Sequence, residues 1–150
     1  MSPSGTVLEP LQHSFFAPEF AQASVLDAMR MGVISCPGDT SARDAARMMA
    51  TYRIHCIVVS DLAGERPWGV VSDLDLAAVA GKDLDNLPVR EVASSELVTI
   101  APNAPLARAA QLLTEHDVSH LVVVHSTSGH PVGVLSTLDV AGVMAWGGAA

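Results

Sequence analysis

Two short segments, "GVVSDLDL" at 69–76 and "GVLSTLDV" at 133–140, each set a hydroxyl, Ser72 or Ser136, three residues ahead of a carboxylate, Asp75 or Asp139. Two kinds of chemistry fit that spacing. In a capping box the serine accepts from a backbone amide at a helix start and the acid reaches back to the serine's own amide, although Glu or Gln is the usual partner. Alternatively, the unpaired amides and positive dipole end of the helix suit a phosphate, and the serine adds a hydroxyl donor. The short Asp then offers two acceptor oxygens to the hydroxyls of a ribose. Spacing alone favours the cap, but both readings need the same helix start.

The elements that must position these residues are duplicated. A shift of 64 positions sets Val89 on Val25 and runs without a gap to Val143 on Val79; Val58–Val59 meet Val122–Val123, and Gly69 meets Gly133. Each copy opens with a short aliphatic strand ("GVISC", "ELVTI") and a turn ("PGDT", "APNAP"). A helical stretch follows, "SARDAARMMATY" or "LARAAQLLTEHD", with Ala42, Ala45, Ala46 and Met49, or Leu106, Ala109, Ala110 and Leu113, on one apolar face. The β-branched runs "IHCIVVSD" and "VSHLVVVH" then pair, across a Gly/Pro loop, with a second strand that leads into the Ser-capped final helix. The unit is β-α-β-β-α, an α/β (mixed α+β) class. The expected division is an arm at 1–24, repeats at 25–80 and 89–145, a linker at 81–88 and a tail at 146–150. Phe15, Phe16 and Phe20 lie in the arm, which is expected to fold back onto the domain or a dimer mate.

Composition narrows the function classes. The 150 residues suffice for one ordinary core. No apolar run approaches the roughly 20 residues of a membrane span, and the N-terminus has no secretory pattern, so the expectation is a soluble cytoplasmic protein without a membrane partner. A net charge of −8 gives no footprint for nucleic acid. Cys36 and Cys56 form no CxxC pair and read as reduced, buried thiols.

The duplicated set, from strand-turn-helix opening to G-x-x-S-x-x-D end, resembles tandem CBS domains (cystathionine β-synthase motifs), the pair called a Bateman module, over residues 25–145. The resemblance implies two repeats packed through their sheets about a pseudo-twofold axis, with two clefts between them. In many members those clefts hold AMP, ADP, ATP, S-adenosylmethionine or NAD and report cellular state to another protein; members also commonly dimerise. It assigns Asp75 and Asp139 to ribose, Ser72 and Ser136 to ribose or phosphate, and Ser35 and Thr99 to the nucleobase side. Where members aim a His or Arg at phosphates, at the opening of the second strand, this chain has Ile54, His55 and Cys56 in one copy and Val118, Ser119 and His120 in the other. Neither copy has an arginine there, and imidazole, with a reference pKa of about 6.5, is only partly charged near neutrality. A monophosphate or a sulfonium is therefore better served than a triphosphate. The plain alternative for His55 and His120 is a strand-edge histidine held by local hydrogen bonds. Val58 and Val122 stand where members often have proline.

Other classes fare worse. His116, His120, His125 and His130 are spread along a strand whose ends lie roughly 15 Å apart, too far for a single metal ion. No G-x-S-x-G, HExxH or GxxxxGK[ST] occurs, so neither an enzyme nor a catalytic cofactor is expected. The rival to an adenosine-binding regulator, a homodimer acting on a separate protein, is a ligand-free interaction module.

Overall fold

The computed structural model describes residues 18–61 and 66–148. Phe15, Phe16 and the middle of the first hairpin loop lie outside the described residues.

In chain order the elements are α1 (Val25–Ala28), β1 (Arg30–Met31), β2 (Ser35–Pro37), α2 (Ala42–Tyr52), β3 (Cys56–Ser60), β4 (Pro67–Ser72) and α3 (Asp73–Ala77), followed by β5 (Thr99–Ile100), α4 (Leu106–Glu115), β6 (His120–Val124), β7 (Pro131–Ser136) and α5 (Thr137–Trp146). The first repeat forms the sheet β2-β3-β4 and the second the sheet β1-β7-β6-β5. In both, the first strand of the repeat pairs parallel to the central one, which pairs antiparallel to the last. This is the mixed α+β, twice-repeated architecture expected.

The apolar faces of α2 and α4 sit as their periodicity requires. Ala42, Ala45 and Met49 are buried, as are Leu106, Ala109 and Leu113. Ser41 caps α2 by accepting from the Asp44 amide at 3.1 Å, and the equivalent residues Arg53 and Asp117 take left-handed conformations where the two helices end. Ile57 and Val59 of β3, with Leu121 and Val123 of β6, face the helices. Val58 and Val122 are equally buried on the opposite face of their strands.

The repeats also exchange their first segments. Arg30–Met31 of the first repeat add an antiparallel strand to β7 of the second, and Ser94 bridges back to Val70 of β4. Val25 is fully buried in the second repeat's core and Val89 in the first's. The bridges Ser24 to Pro105 and Ser41 to Pro88 follow the same exchange. The segment 81–88, expected as a plain linker, is tied across the start of α2: the Ala42 amide donates to the Leu87 carbonyl at 2.7 Å and Arg43 pairs with Asp85 at 2.5 Å.

Some elements are shorter than their sequence pattern suggested. Gly32, at φ +85, turns the chain between β1 and β2, so "GVISC" contributes strand only from Ser35. The stretch after Ser72 is helical only to Ala77, whereas its counterpart continues to Trp146. The extension follows the packing, because α5 buries Val140 and Val143 against the second core and α3 has no fully buried residue.

Glycine is required where the exchanged strands cross. A Cβ on Gly133 would run into the Arg30 carbonyl and the Met29 side chain, and one on Gly69 into the Ser94 carbonyl. Gly133→Ala is expected to cost about 1–3 kcal/mol through overpacking and displacement of β1. Urea unfolding measures it; unchanged stability would show that β1 does not depend on this close approach.

Candidate functional site

The exchange leaves a cavity of about 630 Å³ between the repeats. One wall is the crossing segment Arg30–Ile34, a second is Ile54–Cys56 with Asp73, and a third is His120, Val134 and the start of α5, Ser136–Asp139. Arg30 and Ile34 reach the wall because β1 must run onto β7. Ile54, His55 and His120 sit where the central strands begin, and Ser136 and Asp139 at the strand-to-helix corner. The volume lies within the range of roughly 300–1,000 Å³ that suits a small-molecule site.

At that corner the capping box is fully formed. Ser136 Oγ accepts from the Asp139 amide at 3.1 Å, and Asp139 Oδ2 accepts from the Ser136 amide at 2.9 Å. The box uses only one carboxylate oxygen. Asp139 is 9 % exposed, and its Oδ1 faces Arg30 Nε at 3.7 Å, a long ion pair whose arginine is mostly exposed. Thr137 donates its amide to the Ser119 carbonyl at 2.9 Å, and among the described residues the Leu138 amide has no partner. Ser72 and Asp75 make the same box in the first repeat, at 3.1 and 2.9 Å. There, however, Asp73 Oδ1 accepts from the Leu74 amide at 2.8 Å, occupying the group that Leu138 leaves open.

The two histidines differ. His55 Nδ1 lies 2.8 Å from Asp73 Oδ2; that hydrogen bond is the main reason the Asp73 carboxyl is held below the usual carboxylate range. His120 Nδ1 is 2.9 Å from Ser119 Oγ, and burial pulls the imidazole below 6.5, against the pull of Asp139 and Asp73 in the other direction. Burial likewise raises the Cys56 thiol on the cavity wall to about 11, leaving it protonated and a poor nucleophile at neutral pH. Cys36 is also buried, free and raised by desolvation.

Of the residues singled out in the sequence, the structure brings Ile54, His55, His120, Ser136 and Asp139 together around this cavity. Ser35 and Thr99 stand on β2 and β5 outside the lining of this cavity, which includes Met31, Val33 and Ile34. Ser72, Asp75, Val118 and Ser119 occupy the positions related to the lining by the internal repeat, on the other side of the pseudo-twofold axis. Arg30 was missed: the strand openings lack an arginine, yet one enters from the exchanged segment. The only signal was that the repeat match began upstream of the first recognised strand. His116 pairs with Glu96 and His125 accepts loop amides of Thr127 and Ser128, so the four-histidine run is dispersed. Among the described residues no three His, Cys, Asp or Glu side chains are placed to hold a metal, and no helix is long and apolar enough to cross a membrane.

A family model for the CBS domain matches residues 25–82 and 89–145. The chain belongs to the CBS domain family. It is 30 % identical over 122 residues to the CBS domain-containing protein YhcV of Bacillus subtilis, covering 79 % of this chain and 84 % of that one. Among solved structures, a CBS domain protein of Pyrobaculum aerophilum complexed with AMP is 29 % identical, with a TM-score of 0.70 over 77 % of this chain and 88 % of that one. The CBS domain pair of a protein in complex with 5-methylthioadenosine and S-adenosyl-L-methionine shares the fold at a TM-score of 0.70 and 18 % identity, over 79 % of this chain and 93 % of that one.

Within this CBS pair, His120 sets a pH dependence. Because its folded pKa lies below its unfolded value, the unfolded chain binds more protons near and below pH 6.5, so stability falls as the pH drops through that range. Asp73 acts in the same sense only in stronger acid, below the unfolded carboxylate value of about 4. The stability lost between pH 7.5 and 5.5 is expected to shrink in His120→Gln, measured by urea unfolding at each pH. An equal loss in the variant would remove His120 as its source.

Proposed function

We propose that this protein is a regulatory CBS pair that binds an adenosine-containing ligand in the cavity and passes its occupancy to a separate protein. The observation that carries the reading is the free Oδ1 of Asp139 beside Arg30 at the open start of α5, in a cleft lined on another side by Val33, Ile34 and Ile54. The apolar wall suits a nucleobase, and Asp139 Oδ1 suits the ribose hydroxyls while Oδ2 keeps the cap. Arg30, the Leu138 amide and His120 then suit a phosphate. The AMP complex of the P. aerophilum relative, at 29 % identity, supports a nucleotide as the ligand class. By the internal repeat, Ser72, Asp75, Val118, Ser119 and Thr99 are assigned the corresponding roles on the other side of the axis, and Ser35 a place at the edge of the base.

Output through protein contacts is part of the same proposal. Leu74 and Leu138, equivalent in the two repeats, are 76 % and 66 % exposed, and Met144 lies further along α5 at 68 %. Exposed apolar side chains on both final helices suit the expected homodimer or a regulated protein.

A thermal-shift panel of AMP, ADP, ATP, NAD and S-adenosylmethionine tests the ligand. At 100 times Kd, binding to the native state alone adds about 2.7 kcal/mol, which for a chain of this size is a rise in Tm of roughly 5–10 °C. Asp139→Asn keeps a cap acceptor but loses the charge and is expected to abolish most of the shift. If all five compounds at millimolar concentration leave the wild type unmoved, the module acts through protein contacts without such a ligand.

A further inference from the structure

We infer that each chain holds one ligand, in the cleft walled by Arg30, and that the exchanged segments decide which cleft that is. The inference rests on the adenosine-ligand reading and adds where and how often the ligand binds. The segment crossing onto β7 reads Arg30-Met31-Gly32-Val33-Ile34; its counterpart crossing onto β4 reads Ser94-Ser95-Glu96-Leu97-Val98. Both segments are placed by the same backbone contact, since the carbonyls of Arg30 and Ser94 lie against Gly133 and Gly69 respectively. Equivalent backbone positions therefore carry a cation, Arg30, in one segment and a neutral residue, Ser94, in the other. Asp139 has a guanidinium within 4 Å, whereas Asp75, among the described residues, has no cation within that distance. The second segment has Glu96 where the first has Gly32, and that carboxylate lies 3.7 Å from His116 Nδ1.

A second difference acts in the same direction and is independent of the first. At the start of α5 the Leu138 amide is open, and at the start of α3 the Leu74 amide is already taken by the Asp73 carboxylate. A phosphate approaching α5 meets an open N–H and an arginine. At the start of α3 the equivalent donor is already held by the Asp73 carboxylate, which also borders the Arg30 cavity, and the crossing segment offers the neutral Ser94 in place of Arg30. Like charge at such a contact opposes binding as strongly as opposite charge favours it. The Ser and Asp common to both repeats thus do not distinguish the two positions; Arg30 against Ser94, and the open Leu138 amide against the occupied Leu74 amide, do.

Titration calorimetry with AMP on the full chain tests this. The wild type is expected to bind one AMP per chain. Arg30→Ser is expected to weaken that binding by about tenfold or more, as loss of a charge-assisted contact does. All three substituted positions are exposed, so folding is checked simply by the unfolding curve. Ser94→Arg with Asp73→Thr, which supplies the cation and frees the Leu74 amide as Thr137 leaves the Leu138 amide, is expected to raise the stoichiometry to two per chain. Two AMP per wild-type chain, an Arg30→Ser variant that binds as the wild type does, or a double variant that stays at one would each overturn the inference while leaving the ligand class intact. No heat and no thermal shift with any of the five compounds would overturn the adenosine-ligand reading itself, and this inference with it.

Discussion

Everything in the molecule depends on how the open edges of two small sheets are closed. A three-stranded unit such as β2-β3-β4 leaves backbone donors and acceptors exposed along its last strand, and buried backbone groups must be paired. Here the pairing comes from the other repeat. Arg30–Met31 cover β7, and Ser94 exchanges two hydrogen bonds with Val70 at 2.9 and 3.0 Å. The helical turns just before these strands carry Val25 and Val89 into the opposite cores, where both are fully buried. Fully burying a valine is worth roughly 1.5–3 kcal/mol, so the exchange joins backbone pairing to core packing at both ends. Neither repeat completes its own sheet or its own core, which makes the duplication a single cooperative unit.

The cleft is a consequence of that exchange. A segment leaving one repeat to pair with the other has to cross the space between them, and the stretch Arg30–Ile34 becomes a wall there. Gly69 and Gly133 permit the crossing because any side chain at either place would meet the incoming backbone. The same arrangement resolves the competition between structure and binding at Ser136 and Asp139. A capping interaction contributes about 1 kcal/mol and needs one carboxylate oxygen; the other oxygen is directed at the cavity, beside Arg30. The cap therefore leaves one oxygen of the same side chain available for the proposed ligand contact.

Much of this was readable from the chain alone. The 64-residue echo, the apolar faces at Ala42, Ala45 and Met49 and at Leu106, Ala109 and Leu113, and the β-branched strands are local patterns with fixed periods, so the repeated β-α-β-β-α order follows from them. The capping boxes were equally legible, because a hydroxyl and a carboxylate three residues apart act on the same helical turn. The missed features all depend on distant segments. β1 is two residues long and has no periodicity to detect; it is a strand only because β7 lies beside it. The length of α5 against α3 was hidden for the same reason, since burial of Val140 and Val143 on the second core decides it.

The sequence by itself determined the duplication, the order of elements, the family resemblance and the residues at each strand-to-helix corner, because short-range spacing and self-similarity carry that information. Only the tertiary structure decided what surrounds those corners. It set Arg30 against Asp139 although 109 positions separate them, tied His55 to Asp73, half-buried His120 and left the Leu138 amide open. The physical reason is that charge, desolvation and steric approach act through space across the crossing segments. The unlike histidine positions "IHC" and "VSH" are therefore one difference between the repeats, and the segments they exchange, with Arg30 in one and Ser94 in the other, are a second.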